Sequence, residues 1–266
     1  MPDIISNGTR IHWDQSGQGT PLLLIMGHRY SSAMWYPLME AFKDRYHLIW
    51  FDNQGTGGSA ARAETSVAEM TSDALNVLRA AGVDSAHIYG VSMGGGIALE
   101  FGIKYPEHTR SLILGCTLAK TPDVKRQPKW LINLVYSLPA PILKMLAPKT
   151  HKGGYGDATP DDAIARDRIA LAADPFELKG VKAQAHAISD YSVSPQDVAS
   201  LTRPAFVLHG NQDMTVPYEA GKKLSEMLPD ARFVSLDGVG HNYFIGAGEQ
   251  ANAEVDRFIQ DVEKAR

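Results

Sequence analysis

The chain has 266 residues, 44% of them apolar and 21% charged, which suits one large α/β domain or two small ones with a full core. A formal net charge of −4, with no basic run interleaved with aromatics, excludes a whole-molecule field that would attract nucleic acid. No apolar run approaches membrane-spanning length, the N-terminus has no charged-then-apolar leader pattern, and the single cysteine, Cys116, has no partner for an internal disulfide. The expectation is a cytoplasmic protein with no stable membrane insertion.

In chain order, Asn7-Gly8 predicts a hairpin turn between two short strands from about Ile4 to Trp13. Pro21 to Met26 is a continuous apolar run, suited to a strand covered on both faces and ending at Gly27-His28. Met34 to Tyr46 reads as a short helix, His47 to Phe51 as a buried strand, and Asp52 to Ser59 as a tight glycine-rich loop. That loop lacks the terminal Lys-Ser or Lys-Thr of a phosphate cradle, so its role is expected to be structural. Ser66 and Glu69 have capping-box spacing ahead of a helix with Val67, Met70, Ala74 and Leu78 on its apolar face, and Gly82 follows its end.

A strand from Ala86 then runs into Gly90-Val91-Ser92-Met93-Gly94, a G-x-S-x-G elbow. Beyond it Ile97, Phe101 and Tyr105 recur at helical spacing until Pro106 stops the pattern. The helix start places positive dipole at the serine. Arg110 to Cys116 is the next strand, with Cys116 read as a small buried hydrophobe. This alternation predicts a mainly parallel sheet with helices on both faces.

From about Leu118 to Leu201 strand patterns stop and prolines punctuate helical segments, so residues 118–201 are expected to form a helical cap inserted between core segments 1–117 and 202–266. The cap's first half carries Lys120, Lys125, Arg126, Lys129, Lys144, Lys149 and Lys152 against one acid, Asp123. Two readings stay open for it: a solvated face, or attraction of anionic or lipid-like substrates. The sheet pattern resumes at Pro204 to Gly210, a helix follows Pro217, Ala231 to Leu236 is the last strand, and Val255, Phe258, Ile259 and Val262 mark the buried face of a final helix.

Serine is a poor nucleophile at neutral pH and needs a base, which in turn needs an orienting group. Asp213 and His241 follow the last two strands, on the sheet edge from which the elbow also leaves, giving the chain order Ser92, Asp213, His241. Asp123 is the rival acid by position. The scattered histidines lack His-Glu-x-x-His spacing, so neither metal nor other cofactor is expected.

In the strand ending at Gly27, the Asp52-to-Ser59 loop, the elbow, Tyr105-Pro106-Glu107 through Cys116, and the Asp213 and His241 loops, the chain resembles the α/β-hydrolase-fold superfamily. Within it, the likeness is to an esterase and 3-oxoadipate enol-lactonase-like group. The resemblance implies an oxyanion hole made by the backbone N–H groups of His28 and Met93. Met26 stands where a histidine is common in the family, a departure that leaves both backbone donors in place. Arg29 beside the hole has two open readings, contact with an anionic substrate or exposure to solvent.

Trp35, Trp130 and Tyr243, with Tyr36, Tyr155, Tyr191 and Phe244, are candidates either for lining a substrate pocket or for core packing. The expected activity is hydrolysis of a small-molecule carboxylic ester or lactone through an acyl-enzyme. The alternatives are carbon–carbon bond hydrolysis, peptide cleavage, acyl or peracid transfer, or a hydrolase-fold receptor with slow turnover.

Overall fold

Asn7 and Gly8 both adopt positive φ, 50° and 74°, the backbone that a two-residue hairpin turn requires. They join β1 (Asp3–Ser6) to β2 (Thr9–Ser16) at one end of an eight-stranded sheet. The fold is seen in a computed structural model that describes residues 2–121, 127–138 and 154–266.

The remaining strands are β3 (Thr20–Ile25), β4 (Tyr46–Phe51), β5 (Ala86–Val91), β6 (Thr109–Gly115), β7 (Ala205–Gly210) and β8 (Ala231–Leu236). The sheet order is β1-β2-β4-β3-β5-β6-β7-β8, antiparallel from β1 through the β2–β4 pair and parallel from there on. Register brings the carboxyl ends level: Ile25 faces Gly90, Val91 faces Gly115, Gly115 faces Leu208, and Gly210 faces Leu236. Every loop that leaves this edge therefore opens onto one surface, where parallel sheets bind ligands.

Period-2 alternation divides the parallel strands between two cores. Leu23, Ile25, Ile88, Leu112 and Val207 pack on α2 (Val67–Ala80) and α3 (Met93–Lys104). Leu22, Leu24, Tyr89, Ile113 and Phe206 pack on α1 (Tyr36–Phe42) and a long C-terminal helix, Gly248–Ala265. The N-cap half of the predicted capping box is present: Ser66 Oγ accepts the Glu69 N–H at 3.1 Å, while the Glu69 carboxylate accepts the Ser66 hydroxyl at 3.3 Å. The helix expected over Met34 to Tyr46 is shorter: a 3-10 turn at Ser32–Trp35 leads into α1, and Tyr46 already opens β4, because it pairs with Thr20 across the sheet.

Between β6 and β7 the described residues form α4 (Lys129–Ser137), α5 (Asp161–Ala173), α6 (Leu178–Asp190) and the short α7 (Pro195–Ala199). The core then resumes with β7, α8 (Tyr218–Met227), β8, a short α9 (Tyr243–Gly246) and the C-terminal helix, α10. Within the basic stretch, Lys120 donates to the Ile188 carbonyl and Lys129 pairs with Asp190, so both cations tie the stretch to α6. Lys125, Arg126, Lys144, Lys149, Lys152 and the rival acid Asp123 lie outside the described residues. No helix among the described residues is long and apolar enough to cross a membrane.

Candidate active site

The elbow is built by close approach. A side chain at Gly90 would collide with the Gly94 carbonyl, and one at Gly94 with the Ile25 carbonyl, so neither position admits a Cβ. Ser92 sits between them at φ 57°, ψ −120°, with its N–H bonded to the Gly115 carbonyl at 2.8 Å and its own carbonyl receiving Thr117 Oγ1 at 2.8 Å. This conformation costs a non-glycine residue on the order of 1–3 kcal/mol and persists because its neighbours hold it. The described residues contain four non-glycine positions with positive φ, and three of them, Arg29, Ser92 and Cys116, stand at the carboxyl ends of β3, β5 and β6.

From the loop after β7, Asp213 presents a buried carboxylate. Its Oδ1 accepts the N–H groups of Thr215 at 2.7 Å and Val216 at 2.9 Å, and its Oδ2 lies 2.7 Å from His241 Nδ1. A second imidazole shares Oδ2: His209 Nε2 is 3.2 Å away and also donates to the Val216 carbonyl at 3.0 Å. Burial opposes the charge on Asp213, but hydrogen bonds from His209 and His241 outweigh it and hold the carboxyl well below the usual range. The sequence alone does not single out His209. A histidine inside an apolar strand reads as core until the fold turns it toward Asp213.

His241 and Ser92 line one cavity of about 260 Å³, together with Gly27, His28, Arg29 and Phe244. No Ser92–His241 hydrogen bond falls within range among the described residues; such bonds often tighten only in the substrate complex. Gly27 brings the β3 loop against the serine, since a Cβ there would stand 3.2 Å from Ser92 Cβ.

That loop is braced from two sides. The β4 loop supplies Asp52, whose Oδ1 accepts the N–H and Oγ of Ser32, and Asn53, which donates to the Met26 carbonyl at 2.9 Å. This matches the structural role expected for Asp52 to Ser59. The segment between β6 and β7 supplies the second brace. Asp174 accepts the N–H and Oγ of Ser31, Gln184 Oε1 accepts the Arg29 N–H at 3.0 Å, and His28 Nε2 donates to the Val181 carbonyl at 3.0 Å. Tyr136 of α4 also reaches His28 Nε2, at 3.2 Å. Burial, against the pull of the Val181 carbonyl, lowers the His28 pKa, so this imidazole is a neutral anchor.

The structure sorts the candidate aromatics between the two readings. Trp35 is fully buried in the core, with its ring 5.0 Å from that of Tyr89, because the turn before α1 points it inward. Tyr243 is equally buried and bonds the Tyr89 hydroxyl at 2.7 Å; its neighbour Phe244 is the one that lines the cavity. Trp130 is 66% exposed on α4, whose inward residue is Ile132. Tyr36, Tyr155 and Tyr191 are likewise outside the described cavity lining, whereas Arg29 is part of it.

Among the described residues one group has metal-ligand composition: Cys116, His209 and Asp213, with donor atoms within 4.8 Å of one another. Its chemistry is that of a hydrogen-bonded cluster. Both Asp213 oxygens already accept N–H bonds, and burial pushes the Cys116 thiol well above its usual range, away from the thiolate that a metal needs.

The profile of the family described as alpha/beta hydrolase fold matches residues 20–247. The chain belongs to the α/β-hydrolase fold family. A protein of Azorhizobium caulinodans provisionally named the carbamate hydrolase RutD is 26% identical to this hydrolase, over 91% of this chain and 92% of its own. Two solved structures superpose with a TM-score of 0.83: a malate-bound thermophilic esterase from Thermogutta terrifontis, 22% identical and covering 98% of each chain, and the enol-lactonase from Burkholderia xenovorans LB400, 20% identical and covering 97% of this chain and 100% of its own. At such identities the two structures establish the shared fold of the hydrolase.

Proposed function

We propose that this hydrolase cleaves a carboxylic ester or lactone of a small molecule through Ser92, His241 and Asp213 and an acyl-enzyme intermediate. One observation carries the reading: an imidazole oriented by a buried carboxylate at 2.7 Å lines the same small cavity as a serine held at a strained helix N-terminus. The Nδ1 contact to Asp213 fixes the tautomer, leaving Nε2 free to accept the serine proton.

In the proposed reaction, His241 takes the Ser92 proton as Oγ attacks the carbonyl. Asp213 stays ionised and stabilises the imidazolium that forms. The backbone N–H groups of His28 and Met93 hold the oxyanion, each such donor contributing about 3 kcal/mol in related chemistry. His241 then protonates the leaving alcohol, and water, activated by the same imidazole, releases the acid and restores Ser92. In the segment 118–201, proposed as the cap, Val181 and Gln184 grip the loop that carries the proposed oxyanion donor of His28.

The test is covalent. A phosphonate serine probe should add one adduct per chain, on the peptide containing Ser92, and Ser92→Ala should lose both the adduct and the hydrolysis of short p-nitrophenyl esters while melting like the parent. An adduct on another residue, or full esterase activity in Ser92→Ala, overturns the assignment.

A further inference from the structure

Ester cleavage as such makes no use of the cation in this cavity. Arg29 lines the same space as Ser92 and His241, and no carboxylate among the described residues lies within 4 Å of its guanidinium. Its neighbours are aromatic: the guanidinium carbon stands 4.5 Å from the centre of the Phe176 ring and 5.5 Å from that of Tyr30. Ring faces attract a cation but leave its forked N–H donors without carboxylate acceptors. Two buried acids that act on the neighbouring Tyr30, Asp174 and Asp167, do not supply one. Asp174 is bonded to Ser31, and Asp167 accepts the Tyr155 hydroxyl while burial raises its pKa toward the neutral acid.

Arg29 is also held in place. Its φ is 75°, a left-handed conformation that arginine adopts only under constraint, and its N–H donates to Oε1 of the fully buried Gln184, whose Nε2 in turn donates to the Gln54 carbonyl at 2.8 Å. A solvent-facing arginine needs no such anchoring. Here the backbone is fixed one residue beyond His28, so the guanidinium is rooted beside the proposed oxyanion site.

We propose that Arg29 is a carboxylate-binding subsite, and that the substrate is an ester or lactone carrying a second, ionised carboxylate. Guanidinium binds carboxylate through two parallel N–H···O bonds, a geometry that a lysine cannot copy. The second carboxylate takes no part in bond cleavage; it binds and orients the molecule so that its acyl carbon meets Ser92. This inference rests on the serine-hydrolase reading above and adds a substrate class to it.

The experiment compares labelling rates of Ser92 by pairs of phosphonates identical except for a terminal carboxylate or carboxamide, the group being carried in turn on the alkyl and on the alkoxy arm. In the wild-type protein the carboxylate member of at least one pair should label roughly 10- to 100-fold faster, the range expected for a charge-assisted pair of hydrogen bonds. Arg29→Gln should collapse that ratio toward one, and Arg29→Lys should restore only part of it. Equal rates for every pair in the wild type, or a ratio that survives Arg29→Gln, overturns the subsite while leaving the hydrolase reading intact. Failure of every phosphonate to label Ser92 overturns the hydrolase reading itself.

Discussion

Ser92 and Asp213 are placed by opposite means. The serine is strained and half-exposed at a helix start, whereas the aspartate is buried and saturated with donors: two backbone N–H groups on Oδ1 and two imidazoles around Oδ2. Because its folded pKa is depressed, Asp213 stays ionised as pH falls well past the usual carboxylate range. Loss of activity in mild acid therefore belongs to another group. Asp213→Asn removes the charge and reverses the hydrogen-bond sense toward His241 Nδ1, which then favours the wrong tautomer. It should lower kcat by about 10⁴-fold with little change in KM, the size of the effect of the corresponding change in a serine protease triad. Steady-state kinetics on a short ester checks this, and a drop below about tenfold would show that the carboxylate does not orient the base.

Among the elements, α6 does the most to shape the β3 loop. Its Val181 carbonyl holds the His28 ring, and its Gln184 side chain bridges the Arg29 N–H and the Gln54 carbonyl, spanning both loops at once. Gln184→Leu keeps the volume but orphans two buried backbone groups, each costing about 1–3 kcal/mol. The freed loop should misplace the His28 N–H, so kcat should fall roughly tenfold or more, together with a lower Tm. A variant with unchanged kcat and an unchanged Tm would show that the bridge carries no strain or order into the site. This bridge also marks the limit of what the sequence discloses. Strands, elbow and capping box are legible because period-2 alternation, the Gly90 and Gly94 spacing and the Ser66–Glu69 pair are local signals. Gln184 and His209 act on loops 155 residues and four residues away respectively, but both need the fold to aim them. Trp35, Trp130 and Tyr243 were ambiguous for the same reason, since aromatic character does not say which face of an element a ring leaves from.

At the scale of the whole molecule, the sheet keeps its proposed active site and one of its acid-sensitive joints at opposite ends. Ser92, Asp213 and His241 gather at the carboxyl edge, while His87, near the start of β5, is fully buried with Nδ1 accepting from Ser111 Oγ at 2.7 Å and Nε2 bonded to Glu263 at 3.2 Å. Burial, against the attraction of Glu263 and with Arg110 adding to it, pushes the His87 pKa down to about 4. The unfolded histidine titrates near its ordinary 6.5, so between about pH 6.5 and pH 4 unfolding takes up a proton. The contribution is thus complete above the unfolded value and disappears as pH falls, amounting to about 2 kcal/mol by about pH 5. Glu263, held low chiefly by Arg110 against the cost of burial, acts in the same direction further into acid. Urea unfolding at about pH 7.5 and about pH 5 should therefore show a smaller pH-dependent loss in His87→Asn than in the parent, even though the variant is weaker at both. Identical losses in the two proteins would mean that His87 is as easily protonated folded as unfolded. Because this joint lies a full strand length from Ser92, the variant should retain its phosphonate labelling at neutral pH, which separates acid loss of the fold from acid loss of the chemistry.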